Sequence, residues 1–312
     1  MAGSCRPTAL NSSPSDTSDA VPGLDAVACA RWQGLPRQGS PWLHEEVAGR
    51  MLERLQWFRE PPTSWLHWEP VLGGLQAHAR LRAALPQAEC QVWSHDLAGT
   101  LAATREPAPR SWNPLRRSRW VEALTADPQR PVQMLWANMG LHAEPQPQRL
   151  IARWHSHIAT GGFLMFTCLG PDSLRELRAV WAAEGWPAPA HDFTDMHDWG
   201  DMLVHGGFAE PVMDMERLEL TYGSAAGLVE ELRGFGRNLS VGRFAACRGR
   251  AWYERMLAAI EAHGSRAADG RLRLTIEIVY GHAFKAAPRP ARGDATTVPL
   301  DALRNQLRQR RG

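Results

Sequence analysis

The stretch from Val132 to Leu174, VQMLWANMGLHAEPQPQRLIARWHSHIATGGFLMFTCLGPDSL, restricts the fold more than any other part of the chain. Val132 to Ala137 is a nearly continuous apolar run closed by Asn138, the pattern of a strand buried on both faces of a parallel sheet. Pro145 and Pro147 open a connection into a helix, where Leu150, Ile151, Trp154 and Ile158 share one face. Gly161 and Gly162 are expected to end that helix. Phe163 to Leu169 then repeats the apolar run, and Ser173 with Glu176 has the spacing of a capping box for the next helix. Strand, helix and strand make a βαβ unit. Ligands of such units bind beyond the carboxyl ends of the strands, here Asn138 to His142 and Leu169 to Asp172.

The rest of the chain extends this unit. His44 to Phe58 places Val47, Met51, Leu55 and Phe58 on one helical face, and Pro61-Pro62 ends it. Ser64 to Trp68 and Cys90 to Trp93 are short strands, each followed by a helix, from Leu75 and over Leu97 to Thr104. Thr194 to His205 aligns Met196, Trp199 and Leu203. Leu218 to Tyr222 and Leu272 to Tyr280 alternate like half-buried strands, which suits an antiparallel pair at one sheet edge. The intervening segment, about 224–269, reads as a helical insert with Leu228, Leu232 and Phe235 on one stripe and Trp252, Met256 and Ile260 on another, placed to cap the site. The expected fold is an open, mostly parallel α/β sheet with an antiparallel C-terminal pair.

Composition excludes several classes. A net charge of +2, with basic residues scattered, argues against a nucleic-acid surface, and the one basic run, Arg110 to Arg119, reads as a solvated loop. The five cysteines are widely separated and form no C-x-x-C pair, which fits a reducing cytoplasm. No leader and no membrane-spanning run is expected. Residues 1–29 and 286–312, rich in Ser, Pro, Gly and charge, are expected to be flexible tails around a domain of residues 30–285, with a short helix near Leu300 to Leu307.

The segments Leu169-Gly170-Pro171-Asp172-Ser173-Leu174, Asp195 to Asp201, Gly207 to Asp214 and Tyr280-Gly281-His282-Ala283 resemble the malonyl-acyl-carrier-protein O-methyltransferases of biotin synthesis. The resemblance runs from about Arg31 to Lys285 and is strong from Leu135 onward. It implies a class I, Rossmann-like methyltransferase fold and methyl transfer from S-adenosyl-L-methionine to the free carboxylate of a malonyl thioester, on acyl carrier protein or coenzyme A. That carboxylate is already ionised at neutral pH, so neither a general base nor a Ser/His/Asp constellation is expected.

In the matching positions, Glu69 stands for the acid after the first strand, Gly73 and Gly74 for the end of the glycine-rich turn, Asp96 for the acid holding ribose hydroxyls, and Asn138 for a cleft residue near the transferred methyl. Pro70 and Leu72 occupy glycine places, and Gln133 replaces an Asp. Two alternatives therefore stand beside the first: a non-catalytic relative that has lost tight cofactor binding, and a methyltransferase for another small acceptor. His197, Asp198 and Asp201 read as a helix start and not as metal ligands. Trp136 and Trp199 are candidates to flank an apolar substrate arm.

Overall fold

The structure, a computed structural model, describes residues 23–107 and 120–287. Seven strands form one sheet: β1 (Ser64–Trp68), β2 (Glu89–Trp93), β3 (Leu124–Thr125), β4 (Val132–Ala137), β5 (Ile158–Leu169), β6 (Ala209–Tyr222) and β7 (Leu272–Phe284). Their spatial order is 3-2-1-4-5-7-6. β7 runs antiparallel to β5 and β6, while the other pairings are parallel. Nine helices of eight or more residues among those described pack around the sheet: α1 (Ala26–Gln33), α2 (Trp42–Leu55), α3 (Leu75–Ala84), α4 (Leu97–Thr104), α5 (Pro147–His157), α6 (Arg175–Ala183), α7 (Met196–His205), α8 (Ala225–Phe235) and α9 (Arg250–His263).

Adjacent residues of the central strands enter opposite cores, as a period of two requires. Trp65 and Trp136 join Val47 and Met51 of α2, Leu81 of α3 and Ile260 of α9. Leu66 and Leu135 join Ile151 and Trp154 of α5 and Trp199 and Leu203 of α7. Both faces of the parallel strands are therefore covered, which is why they read as continuous apolar runs.

Several expectations are corrected by packing. α1 begins inside the segment expected to be a tail, with Asp25 capping it and Cys29 fully buried, because Leu24 and Cys29 share a small core with Trp32 and Leu239. α2 spans Trp42–Leu55, so Phe58 lies beyond it and stacks on Phe163 at 4.1 Å. α5 ends at His157, and Gly161 (φ +82) and Gly162 belong to β5; a Cβ on Gly162 would stand 2.6 Å from the Gln133 carbonyl, so the glycine permits close pairing with β4. Ser173 and Glu176 form no capping box: α6 starts at Arg175 after a left-handed Leu174, and both side chains bond to β7 instead.

β7 is not an edge strand. It lies between β5 and β6 with Thr275 and Glu277 buried, and the edge is β6, which alternates in burial on either side of a break at Asp214–Met215. The basic run Arg110 to Arg119, Leu300 to Leu307 and the terminal segments before residue 23 and after 287 lie outside the described residues. Among those described, no helix is long and apolar enough to cross a membrane.

Candidate functional site

Strand order reverses between β1 and β4, and a cavity of about 410 Å³ opens beyond the carboxyl ends of β1, β2, β4 and β5. Glu69 follows β1, Trp93 and His95 lie at the end of β2, Asn138 to Gly140 follow β4, and Leu169 ends β5. Trp32 of α1 closes one side, and the insert closes another with Leu232, Phe235, Trp252 and Met256. Both apolar stripes of the helical insert therefore line the cavity.

The turn after β1 is a single helical turn, Pro70–Gly73, entered through Glu69 in the left-handed region at φ 54. The N–H groups of Gly73 and Gly74 are held by the carbonyls of Glu69 and Pro70 at 2.7 and 2.9 Å. Its own carbonyls are pinned from outside. Ser40 Oγ donates to Val71 O at 2.9 Å, His44 Nδ1 to Leu72 O at 2.8 Å, and Asn138 Nδ2 to Gly73 O. Gly74 has φ +139, which the turn itself demands, while a Cβ at Gly73 would sit 3.3 Å from the Asn138 carbonyl, a tight approach set by the neighbouring strand end.

The other predicted site residues divide. The Glu69 carboxylate, on the cavity wall, accepts from Ser94 Oγ at 2.7 Å and His95 N at 2.8 Å and pairs with His95 Nδ1, tying β1 to β2. Asn138, 2% exposed, also donates to His44 O at 2.8 Å and accepts from Thr167 Oγ1 at 2.5 Å. Its amide is thereby fully engaged in holding the β1 turn, α2 and β5 together. Asp96 is not on the wall: its carboxylate caps α4 through Gly99 N at 3.0 Å. Trp136 and Trp199 are buried in the two cores and do not reach the cavity. His197 is bound by Asp195, which caps α7.

Burial sets the protonation state of three of the wall's histidines. Burial drives His44 down to about 4 and holds His142 and His191 below the ordinary histidine value, so these rings are neutral. Burial raises the Cys29 thiol to about 11 and Cys90 to about 12, which removes them as thiolates.

Sequence reasoning missed the aromatic and cationic wall. Trp68 and Trp93 stack at 3.8 Å, and the Arg153 guanidinium lies over Trp93 at 4.3 Å. Aromatic residues closing two neighbouring parallel strands were a visible signal. Arg37 and Arg237 left none, since each sits in a polar loop.

A sheet of order 3-2-1-4-5-7-6, with strand 7 antiparallel and a cavity at the strand-order reversal, has the class I methyltransferase architecture. Curated relatives agree. The malonyl-[acyl-carrier protein] O-methyltransferase of Gallionella capsiferriformans is 35% identical and the match covers 82% of this chain and 88% of that protein. Those of Laribacter hongkongensis and Halorhodospira halophila are each 36% identical, over 80% and 86% of this chain and 85% and 90% of theirs. The chain belongs to the malonyl-[acyl-carrier protein] O-methyltransferase family. No protein-family model matches it. Among solved structures, YcgJ of Bacillus subtilis is similar at 9% identity and TM-score 0.48, over 78% of this chain and 99% of that one. Haemonchus contortus phosphoethanolamine N-methyltransferase 2, in complex with S-adenosyl-L-methionine, is similar at 12% and 0.39, over 78% and 53%.

Proposed function

We propose that this chain transfers the methyl group of S-adenosyl-L-methionine to the free carboxylate of a malonyl thioester on acyl carrier protein, forming the methyl ester used in biotin synthesis in the cytoplasm. The observation that carries the reading is the cavity at the β1/β4 switch point in a chain of this family.

The residues present fit the cofactor in size and in lining. A cavity of about 410 Å³ accommodates a nucleoside joined to an amino acid. Glu69 supplies a carboxylate after β1, and Trp32, Trp68 and Trp93 supply aromatic wall. The donors differ from a glycine-rich turn, since Pro70 has no N–H and those of Gly73 and Gly74 are taken within the turn. Glu69 and the turn held by Gly73, Gly74 and Asn138 would contact the cofactor, which supplies an electrophilic methyl on a cationic sulfur when bound. Asp96 serves α4.

The protein's own contribution is positional. An acceptor carboxylate is anionic without help, so neutral His44, His142 and His191 are not asked to take a proton. Leu43, Leu72 and the aromatic wall exclude water, which keeps the anion poorly solvated and reactive and fixes its line of approach.

Titration calorimetry with S-adenosyl-L-methionine, and mass detection of methyl ester from malonyl-acyl carrier protein and from malonyl-coenzyme A, test the reading. Saturable binding and ester formation are expected. The closed turn favours one competing reading, a non-catalytic relative. An absence of heat at millimolar cofactor together with an absence of ester would replace the first reading with that one, and binding without malonyl turnover would point to another acceptor.

A further inference from the structure

The cavity holds more positive charge than methyl transfer by alignment has so far used. Arg37, Arg153, Arg233 and Arg237 line it against Glu69 and Glu144. Both carboxylates are engaged, Glu69 by Ser94 and His95, and Glu144 by Gln33 and the N–H of Gln146. Among the described residues none of the four arginines forms an ion pair.

Two of them converge on one ring. The guanidinium carbon of Arg37 lies 4.5 Å from the centroid of Trp32, and that of Arg237 lies 5.1 Å from it. Of the five N–H donors of a guanidinium, Arg37 uses three on the carbonyls of Trp32, Gln33 and Leu35, which leaves two. Arg237 uses two on Arg233 and Gly236, which leaves three. Burial lowers the pKa of Arg37 most, the Glu69 carboxylate opposes this, and the charge of Arg237 adds a smaller lowering. Two like charges beside one aromatic ring on the cavity wall, both with unfilled donors, suit an anionic ligand group there.

The convergence is built by tertiary structure. Arg37 follows α1, and Arg237 follows α8 two hundred residues later. The segments carrying them are joined by Asp25 N to Leu239 O at 2.9 Å, Val241 N to Gly23 O at 2.8 Å, and the Arg243–Asp25 ion pair at 2.7 Å. The same contacts seat Leu24 and Leu239 in one small core with Trp32.

We infer that Arg37 and Arg237, set over Trp32, form a carboxylate-binding clamp at the wall of the cavity. The inference rests on the reading above, in which two ligands bring a free carboxylate: the malonyl acceptor and the amino-acid end of the cofactor. A planar guanidinium meets a carboxylate through two parallel N–H bonds, so either source satisfies the same donors. The clamp would take over the anion-holding role that the N–H groups of the turn after β1 no longer offer.

The test pairs ligands that differ only near the carboxylate. Wild type, Arg37→Gln and Arg237→Gln are titrated by calorimetry with malonyl-pantetheine and its terminal amide, and with S-adenosylhomocysteine and 5′-methylthioadenosine. In at least one pair, each substitution should weaken the carboxylate ligand about 10- to 100-fold and leave its carboxylate-free counterpart within about twofold. The affected pair identifies the source. Unchanged affinities, equal losses across both members of each pair, or a wild type that binds neither carboxylate ligand would overturn the clamp. Wild type that binds malonyl-pantetheine through the arginines but no adenosyl ligand would keep the clamp and overturn the cofactor reading. Because Arg37 also holds the end of α1, Arg237→Gln decides if the other variant does not fold.

Discussion

Asp172 donates its backbone N–H to Oε2 of Glu277 at 2.8 Å, across 105 residues of sequence. Glu277 is 2% exposed in the middle of β7 and binds the loop after β5 with more than its carboxylate. Its carbonyl accepts from Gly170 N at 2.9 Å and Ser173 Oγ at 3.1 Å, and its N–H donates to Ser173 Oγ at 3.0 Å. Arg217 from β6 bridges Asp172 at 2.8 Å and Glu277 at 3.6 Å. The Leu169 to Leu174 motif is therefore a fastening between β5 and β7, which sets where the carboxyl end of β5 meets the cavity.

Removing that carboxylate should be expensive. Glu277→Ala leaves the part-buried Asp172 N–H without its acceptor, beside the buried Ser173–Glu277 junction, and we expect a loss of about 1–3 kcal/mol in urea denaturation. Glu277→Gln keeps an acceptor oxygen and should cost about 1 kcal/mol. Equal effects of the two would show that volume matters here and the hydrogen bond does not.

Gly281 of β7 has no room for a methyl group. A Cβ there would overlap the buried ring of Phe166 and approach Met213 Sδ to 3.1 Å. Gly281→Ala should cost about 1–3 kcal/mol by overpacking. Thermal denaturation of the variant measures it, and an unchanged midpoint would mean that the ring moves freely.

Stability should fall as the solution is acidified from neutrality. Burial depresses His44 to about 4, His78 to about 4, and His67 and His142 well below the ordinary 6.5. The unfolded chain binds these protons below about pH 6.5, whereas the folded chain refuses them until its depressed values are reached. The stabilisation is thus complete above about 6.5 and is lost as pH falls from there toward 4. Each such histidine adds a slope approaching about 1.4 kcal/mol per pH unit. Denaturant midpoints that stay flat between pH 7 and pH 5 would contradict the burial of these rings as neutral groups.

Asp96 should behave as a cap. Asp96→Ala is expected to cost about 1 kcal/mol of stability, while the affinity for S-adenosylhomocysteine, read by calorimetry, stays within about twofold. A tenfold weakening would place its carboxylate at the ligand and not on Gly99.

Alternating and continuous apolar runs were enough to locate most of the sheet, though not β3 or the first part of β6, because side-chain direction along a strand is fixed by covalent geometry: Val132 to Ala137 and Phe163 to Leu169 read correctly as buried parallel strands. The same holds for the stripes of α7, α8 and α9, whose apolar spacing is a local property. The resemblance carried by Leu169 to Leu174 and Tyr280 to Ala283 named the family, and Glu69 and Asn138 do follow strands whose ends meet the cavity. Tertiary structure alone decided what required partners far away in sequence. β7 became an inner strand because β6 took the edge, so its polar Thr275 and Glu277 were buried by neighbours and not by their own pattern. Ser173 and Glu176 gave up a capping box because β7 offered them buried donors and acceptors. Arg37 met Arg237 over Trp32 only once α1 and the segment after α8 had been sewn together, whereas Asp96 found its partner locally, as the cap of α4 through Gly99. A side chain's periodicity is written in the chain, but the identity of its hydrogen-bond and ion partners is set by which segments the fold brings within about 3 Å.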